Sequence, residues 1–276
     1  TGASETEPKG SPSSPMLLIN DLSFRIEGRP LFEAASAQIA DGWKVGLVGR
    51  NGTGKSTLLR LIREDVHKGD GSIRISRGSR LGFVAQEVAA TDESLLDVVL
   101  KADEERHALM HEANTTEDPM RIGEVHARLA DIDAWSAEAR AAEILVGLGF
   151  TQADLSRATR EFSGGWRMRA ALGGVLFARP DLLLLDEPTN YLDLEGAAWL
   201  EVYLRKYPHT VIVVSHDRDL LNRSVTHILA VEQTKLVLNA GGYDAYLKRR
   251  AERTAHLQAQ KDKQDVQRAH MQSFID

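Results

Sequence analysis

The sequence predicts a mixed α/β fold organised around a largely parallel β-sheet. Three short apolar runs, Val45–Val48, Leu182–Leu185 and Val211–Val214, have the length of buried strands. Segments with the apolar spacing of helices separate these runs along the chain. Because strands that alternate with helices usually become parallel neighbours in one sheet, this order indicates an α/β fold.

The chain begins with a segment that has few side chains to bury. Residues 1–15 contain Pro8, Pro12 and Pro15 among Gly, Ser, Thr and Glu. Such a segment cannot offset the entropy lost when its backbone becomes ordered. We therefore expect a flexible tail over residues 1–15 and a folded domain over residues 16–250.

Short strands and one helix are predicted before residue 90. The helix covers Thr57–Arg63, where apolar residues recur at helical spacing directly after a glycine-rich loop. Strand character is found in four other segments: Leu17–Ile19, Leu22–Ile26, Ile73–Ile75 and Leu81–Ala85. The first part of the domain is therefore predicted to mix both kinds of element.

Helical character dominates from Thr91 to about residue 180, which predicts an α-helical subdomain. The segment Glu112–Pro119 is polar and interrupts the helical pattern. We expect a helical hairpin with its tip in this segment, as a short arm-like insert.

From Tyr246 onward, basic side chains alternate with Gln, Asp and Ala in a run of strong helix formers. This pattern predicts a long exposed helix, of which residues 251–276 extend beyond the folded domain. Its basic residues could contact RNA phosphates, or they could form a solvated face in which acidic residues balance them.

The composition excludes several classes of protein. The 276 residues carry a formal net charge of −6 and include no cysteine, which rules out disulfide frameworks and thiolate metal sites. No apolar run approaches the roughly 20 residues needed to span a bilayer, so membrane insertion is not expected. The mild negative charge argues against sequence-blind coating of nucleic acid. These properties favour a cytoplasmic protein.

The strand Val45–Val48 leads into a loop with the pattern G-x-x-x-x-G-K-[ST], which we call the phosphate loop, Gly49–Ser56. Glycines let backbone N–H groups approach phosphate oxygens, and the following helix N-terminus adds positive potential. Lys55 neutralises phosphate charge in such a loop, and Ser56 reaches Mg²⁺. The alternative is a glycine turn with a purely structural role.

The apolar strand Leu182–Leu185 ends in two carboxylates, Asp186 and Glu187. Beside a phosphate loop, Asp186 is suited to hold Mg²⁺ through water, and Glu187 to orient or deprotonate an attacking water. The alternative is a buried strand that meets solvent through charged residues.

Four further features accompany the phosphate loop in a fixed order: Gln86, Ser163–Gly165, Leu192–Asp193 and His216. Together they resemble the Q-loop, signature motif, D-loop and switch histidine of an ATP-binding cassette (ABC) ATPase. The resemblance covers residues 16 to about 250. It implies a cassette with a RecA-like P-loop core, an antiparallel β subdomain and an α-helical subdomain.

The amino-acid sequences of the motifs are similar to those of the ABC-F proteins, which are twin-cassette ATPases that act on ribosomes. The similar segments are Phe162–Arg169, Asp186–Asp193 and Ser215–Asp219. Transporter ATPases usually carry Gln at the position of Trp166. The segment Gly241–Tyr246 and the charged helix after it resemble the start of the linker between the two ABC-F cassettes.

Two shorter segments, Ile132–Ser136 and Ala269–Asp276, resemble the YheS-type branch of that family. Because the family has two cassettes and this sequence has one, the chain resembles the N-terminal half of such a protein. The implied partners are a second cassette, in the same full-length chain or as a homodimer, and the ribosome with its rRNA and tRNA. An ATPase subunit of a transporter and a ribosome-independent dimerisation switch are the alternatives.

The resemblance also implies roles for individual residues toward ATP and Mg²⁺. The catalytic residues are Glu187, His216 and Gln86. The Mg²⁺ ligands are Ser56, Gln86 and Asp186. The residues that contact the nucleotide are Gly49, Asn51, Gly52, Thr53, Gly54, Lys55, Ser56, Thr57, Ser163, Gly164, Gly165 and Asp193.

One position departs from the pattern of the family. ABC proteins usually stack the adenine ring on an aromatic residue at the position that Ile26 occupies here. Phe24 and Phe32 are the two candidate substitutes, and the sequence does not rank them.

Overall fold

A computed structural model describes residues 15–64, 69–84 and 86–272, without the side chains of residues 64 and 265–272. The strands are β1 (Pro15–Ile26), β2 (Arg29–Ala40), β3 (Lys44–Val48), β4 (Asp70–Ile75), β5 (Leu81–Phe83), β6 (Leu182–Asp186), β7 (Thr210–Val214), β8 (His227–Glu232) and β9 (Lys235–Ala240). The helices are α1 (Lys55–Glu64), α2 (Leu95–Leu100), α3 (Glu104–Thr115), α4 (Pro119–Asp131), α5 (Ala137–Gly147), α6 (Gly164–Ala178), α7 (Leu194–Lys206), α8 (Arg218–Arg223) and α9 (Tyr243–Gln272).

The central sheet has six strands in the order β5-β6-β7-β3-β8-β9. Its first five strands are parallel, and β9 pairs antiparallel with β8. The sheet is buried on both faces, because alternate residues of β6, such as Leu183 and Leu184, pack into different hydrophobic clusters. One cluster faces α5–α8, and the other faces α1 and the second sheet. The predicted α/β fold with a largely parallel sheet is confirmed.

The second sheet has three antiparallel strands in the order β2-β1-β4. The sequence predicted separate strands at Leu17–Ile19 and Leu22–Ile26, and this is wrong because β1 runs through both. Its register shifts between Ile19 and Leu22, where Asp21 has a φ of 45°. The Ser36 hydroxyl accepts a hydrogen bond from the Asp21 N–H at 2.9 Å and stabilises this irregularity.

Helices α3 and α4 form an antiparallel hairpin, in which Arg121 and Arg128 of α4 pair with Glu112 and Glu105 of α3. Val125, Leu129 and Ala134 form a small buried cluster at their contact. The ion pairs add links between the helices on the surface. The turn between the helices falls within the polar segment that was predicted as the hairpin tip.

Other helix and strand boundaries in the structure differ by a few residues from the predicted ones. Pro15 belongs to β1, whereas residues 1–14 of the predicted tail lie outside the described residues. Helix α1 begins at Lys55, and β5 ends at Phe83, with Ala85 outside the described residues. The final helix begins at Tyr243 rather than Tyr246. Among the helices of the described part of the chain, none is both long enough and apolar enough to cross a bilayer.

Candidate nucleotide-binding site

The phosphate loop connects β3 to α1 at the carboxyl edge of the central sheet. All five residues of β3 are buried, so the loop starts from a fixed position. Gly52 and Gly54 have φ values of +76° and +98°, a region that side chains disfavour. A Cβ atom on Gly54 would also lie 3.2 Å from Phe32 Cζ. The loop conformation therefore requires glycine at both positions.

Lys55, at the start of α1, turns its side chain back onto the loop. Its Nζ donates hydrogen bonds to the carbonyl oxygens of Gly49 at 3.0 Å and Arg50 at 3.2 Å. In the described part of the chain no carboxylate forms an ion pair with this ammonium. Ser56 and Thr57 lie in the same first helical turn. A cationic side chain at a helix N-terminus, neutralised only by carbonyl dipoles, suits an anion such as a phosphate.

Glu187 follows β6 in the left-handed region, with φ 48° and ψ 52°. Its backbone N–H donates to the Val214 carbonyl oxygen at 2.9 Å, which fixes it beside the end of β7. Its carboxylate accepts a hydrogen bond from the His216 N–H at 3.2 Å and lies 3.3 Å from His216 Nε2. A non-glycine residue held in this conformation is typical of functional sites, where surrounding contacts offset the strain.

A cavity of about 190 Å³ joins the phosphate loop to the histidine segment. Gly49 and Lys55 line it on one side, and Ser215 and His216 line it on the other. The geometry thus brings together residues that lie 160 or more positions apart in the sequence. Asp186 lines a neighbouring cavity of about 140 Å³ together with Tyr191 and Arg169.

The segment Ser163–Gly165 lies at the start of α6 and contributes no residue to the cavity beside Lys55. Ser163 is the exposed N-terminal residue that precedes the helix, and its carbonyl oxygen accepts from the Arg167 N–H at 2.9 Å. Glu87 forms an ion pair with Arg167 at 2.8 Å, and its second carboxylate oxygen packs over Gly164. Gln86, the residue before Glu87, is exposed. The start of α6 is therefore bonded to the segment that carries Gln86.

Asp193 precedes α7 and accepts a hydrogen bond from the Gly196 N–H at 2.9 Å. It also accepts one from Arg169 at 3.0 Å. The Gly196 N–H and then the Arg169 side chain hold the pKa of the Asp193 carboxyl below its usual value. Asp193 is therefore fixed in its ionised form at the helix N-terminus.

The donors available for Mg²⁺ are oxygens, as that ion prefers. Among the described residues there is no cluster of three or more His, Asp or Glu side chains that could hold a metal by themselves. The predicted ligands Ser56 and Asp186 suit an ion that takes most of its ligands from phosphate and water. The residues therefore fit a nucleotide-bound Mg²⁺ and not a metal held by protein alone.

The structure corrects one candidate for adenine stacking. Phe32 is fully buried beneath the phosphate loop and cannot offer a face to a base. Phe24 is partly buried against the same hydrophobic cluster. Ile26 is 43% exposed, so an aliphatic surface occupies the position where the family usually has an aromatic ring.

The sequence did not single out three residues that line or support these sites: Glu87, Arg169 and Tyr243. Glu87 and Arg169 are neighbours of recognised motifs, but only the tertiary fold shows their ion pairs. Tyr243 lies far along the chain from the phosphate loop and nevertheless lines the cavity beside Lys55. In the sequence, Tyr243 could have been identified only from its position in the segment Gly241–Tyr246.

Comparison with known proteins supports the interpretation of these motifs. Residues 32–190 match a family described as "ABC transporter", and residues 229–276 match a second family profile with the same description. Solved structures with a similar fold include the ATP-binding subunit of an ABC transporter, with a TM-score of 0.59 and 17% identity over 82% of this chain and 90% of that chain. The protein cbiO1 from Clostridium perfringens, part of the ABC transporter complex cbiONQ, has a TM-score of 0.57 and 21% identity over 88% of this chain and 95% of its own. At these identities the structures show the shared fold only.

Curated relatives are more similar in sequence. The "Probable ATP-binding protein YheS" of Escherichia coli (strain K12) is 43% identical over 95% of this chain and 41% of its own length. The human "ATP-binding cassette sub-family F member 3" is 40% identical over 99% of this chain and 39% of its own length. The chain thus spans about two fifths of the length of these relatives. The chain belongs to the ATP-binding cassette family and, within it, to the ABC-F group.

Proposed function

We propose that this chain is an ATP-hydrolysing cassette of a cytoplasmic ABC-F protein, which closes on a second cassette when ATP is bound. Family membership makes it an ATP-binding protein. The observation that carries the proposal is the contact between Glu187 and His216 beside the cavity of Lys55. A base, its orienting histidine and a phosphate-binding lysine are the parts that phosphoryl transfer to water requires.

In this proposal, different residues of the chain bind the phosphates, activate the water and hold Mg²⁺. Lys55 and the N–H groups from Gly49 to Ser56 bind the phosphates, with Asn51, Gly52, Thr53 and Thr57 in or next to the same loop. Glu187 orients the attacking water and accepts its proton, and His216 holds the Glu187 carboxylate through its N–H and ring nitrogen. Ser56, Asp186 and Gln86 hold Mg²⁺, which neutralises phosphate charge when it is bound.

A second cassette completes the site in this proposal. The signature residues Ser163, Gly164 and Gly165 do not line the cavity beside Lys55, although Ser163 and Gly165 are exposed at the start of a 15-residue helix. This arrangement supports a role toward a nucleotide held by another cassette, with Asp193 at the same contact. The second cassette belongs to a longer chain or to a second copy. ATP then closes the pair because it contacts both surfaces, and only such differential affinity can shift the equilibrium.

We further propose that the closed pair acts on the ribosome during translation, with α9 near rRNA or tRNA. The resemblance of the motifs to those of ribosome-acting ABC-F proteins supports this assignment, as do the exposed basic residues of α9. Lys248, Arg253, Lys261 and Lys263 are exposed and can act as positioning contacts to phosphates.

The catalytic part of the proposal is tested with Glu187→Gln. The variant should bind ATP with the affinity of the parent while its turnover in the presence of a second cassette falls by at least about 100-fold, as expected on loss of a general base. Glu138→Gln, the same change at an exposed position on α5, is the matched control. Turnover at the parent rate would show that Glu187 is not the base.

The ribosomal part is tested by co-sedimentation of the Glu187→Gln chain with 70S ribosomes in ATP and in ADP. ATP-dependent pelleting is expected. Neutralising the four basic residues Lys248, Arg253, Lys261 and Lys263 should weaken pelleting and reduce its dependence on salt. An unchanged salt dependence would show that α9 is not part of the surface that binds the ribosome.

A further inference from the structure

The long helix α9 begins at the cavity that we assign to the nucleotide phosphates. Tyr243, its first residue, lines the same cavity as Lys55 and His216. Arg218, the second residue after His216, lines it as well. The start of α9 and the phosphate loop therefore face one small volume of about 190 Å³.

The contacts of α9 with the rest of the protein are concentrated in residues 243–250, which we call the root of α9. The Asp244 N–H donates to Asn222 Oδ1 at 2.9 Å, which joins the root to α8. Tyr246 is buried, and its hydroxyl donates to Glu232 at 2.7 Å, which joins the root to β8. By contrast, residues 251–264 are all exposed. A helix of 30 residues is about 45 Å long, so a small rotation at the root moves its far end by a large distance.

Arg218 connects the cavity to this root. Its Nη2 donates to Asp244 Oδ1 at 2.7 Å, and both side chains remain about 60% exposed. Asp217 lies between Arg218 and His216 and accepts hydrogen bonds from the first N–H groups of α8. Arg218 is therefore held on the same short segment as the switch histidine, with a carboxylate on one side and the phosphate cavity on the other.

An exposed ion pair of this kind contributes little to stability and is easily exchanged. A terminal phosphate carries more charge than one carboxylate and offers a guanidinium several acceptor oxygens. A phosphate in the cavity would compete directly with Asp244 for Arg218. Loss of the Arg218–Asp244 bond would leave the bond to Asn222 and the apolar packing of Tyr246 in the cluster of Leu220 and Leu221 as the contacts of the root with α8.

We propose that Arg218 and Tyr243 form a sensor for the terminal phosphate of the nucleotide, in which Arg218 leaves Asp244 for the phosphate and thereby removes the ion pair that joins the root of α9 to the segment of His216. This inference rests on the proposed function, because it requires ATP in the cavity. It assigns to α9 a direct response to the nucleotide in the same cassette, in addition to any movement that follows closure on a second one.

The first test compares nucleotide affinities in the Glu187→Gln background, by equilibrium binding of ATP and ADP. Asp244→Asn frees Arg218, so ATP should bind about two- to fivefold more tightly while ADP affinity stays the same. Arg218→Gln should weaken ATP binding by a similar factor and again leave ADP unchanged. The matched control is Asp262→Asn, the same change on the exposed part of α9, where Asp262 accepts a bond only from Gln258 among the described residues. Circular dichroism and thermal unfolding verify that each variant is folded.

The second test measures α9 itself. Because the chain contains no cysteine, Ala255→Cys and Ser76→Cys can be spin-labelled uniquely, at exposed positions on α9 and after β4. Distances from pulsed electron resonance are recorded with ATP or ADP, in an excess of unlabelled protein so that only distances within one chain contribute. The distribution should shift or broaden with ATP, and Asp244→Asn should show the ATP-like distribution already in ADP.

The outcomes separate the two proposals. If ATP binds but neither the affinities nor the distances respond to these substitutions, the proposal of a phosphate sensor is wrong. The proposed function is then unaffected. Equal changes for ATP and ADP would indicate a merely structural role for the pair and would also reject the sensor. If Glu187→Gln binds no ATP, the proposed function fails and the sensor fails with it.

Discussion

Arg169 donates a hydrogen bond to Asp193 at 3.0 Å and so joins α6, which begins at Gly164, to the start of α7. The same guanidinium lies 4.2 Å from the ring centre of Trp166 and also donates to the Leu148 carbonyl oxygen. The side chain is only 13% exposed. The start of α6 and the start of α7 are therefore held together through the Arg169 side chain.

Arg169→Ala should lower the free energy of unfolding by about 2–3 kcal/mol, because it removes a buried cation and leaves carbonyl oxygens without donors. Urea denaturation measures the change. Asp193→Asn keeps an oxygen to accept from the Gly196 N–H and should cost clearly less. Equal losses for the two variants would show that the contacts of Arg169 other than its bond to Asp193 do not contribute to stability.

Gly54→Ala and Gly52→Ala test the packing under the phosphate loop. Both replace a glycine at positive φ, which costs about 1–2 kcal/mol. Only at Gly54 does the new methyl group also press on Leu31 and Phe32, and Phe32 is fully buried. Gly54→Ala should therefore be the more destabilising variant by about 1–3 kcal/mol, as measured by chemical denaturation without nucleotide.

Gly147→Ala and Gly123→Ala form a second matched pair, in helices α5 and α4. A Cβ atom on Gly147 would lie 2.0 Å from Trp199 Cε2, so the indole must move and the variant should lose stability. Gly123 is exposed with no atom within 4 Å of a new Cβ, so alanine should stabilise its helix by up to about 1 kcal/mol. Melting temperatures that change in the same direction would refute this account.

His227 makes stability depend on pH. Its ring stacks on Trp43 with 3.7 Å between ring centres, and burial lowers its pKa below 6.5. The unfolded chain therefore binds a proton more readily than the folded protein, so stability falls as the pH drops below about 6.5. His227→Phe keeps the stack and should reduce the difference in unfolding free energy between pH 7.5 and pH 5.5. His107→Phe, at an exposed position on α3, should leave that difference as it is in the parent.

The sequence predicted the parts of the fold whose signal is local. The four-residue apolar runs within β6 and β7 and the pattern of the phosphate loop are signals that tertiary packing does not override. Strands β2, β8 and β9 were not predicted, because β2 is rich in Ala and the hairpin of β8 and β9 contains polar residues such as Asn239. Strand β8 pairs with β3, which is distant in the sequence, whereas β2 and β9 are held as strands by hairpin pairing with β1 and β8.

The same distinction applies to the candidate site. Motif spacing was sufficient to nominate Lys55, Glu187 and His216, which the fold brings to one edge of the sheet. The Arg169–Asp193 bond and the position of Tyr243 in the cavity depend on how helices pack, and no local pattern encodes that. The burial of Phe32 follows for the same reason, since an aromatic residue in a strand points to either face depending on the register.

The unequal attachment of α9 gives the molecule two levels of cooperativity. Its root shares the packing of the domain, whereas residues 251–264 are exposed and are kept helical by bonds within the helix, such as that of Gln258 to Asp262. An isolated helical segment of that length is marginal in water. Amide hydrogens beyond residue 251 should exchange through fraying of the helix alone, while those of β3 and β7 exchange only when the whole domain unfolds. The outer part of α9 can thus melt and reform many times during the lifetime of a folded cassette.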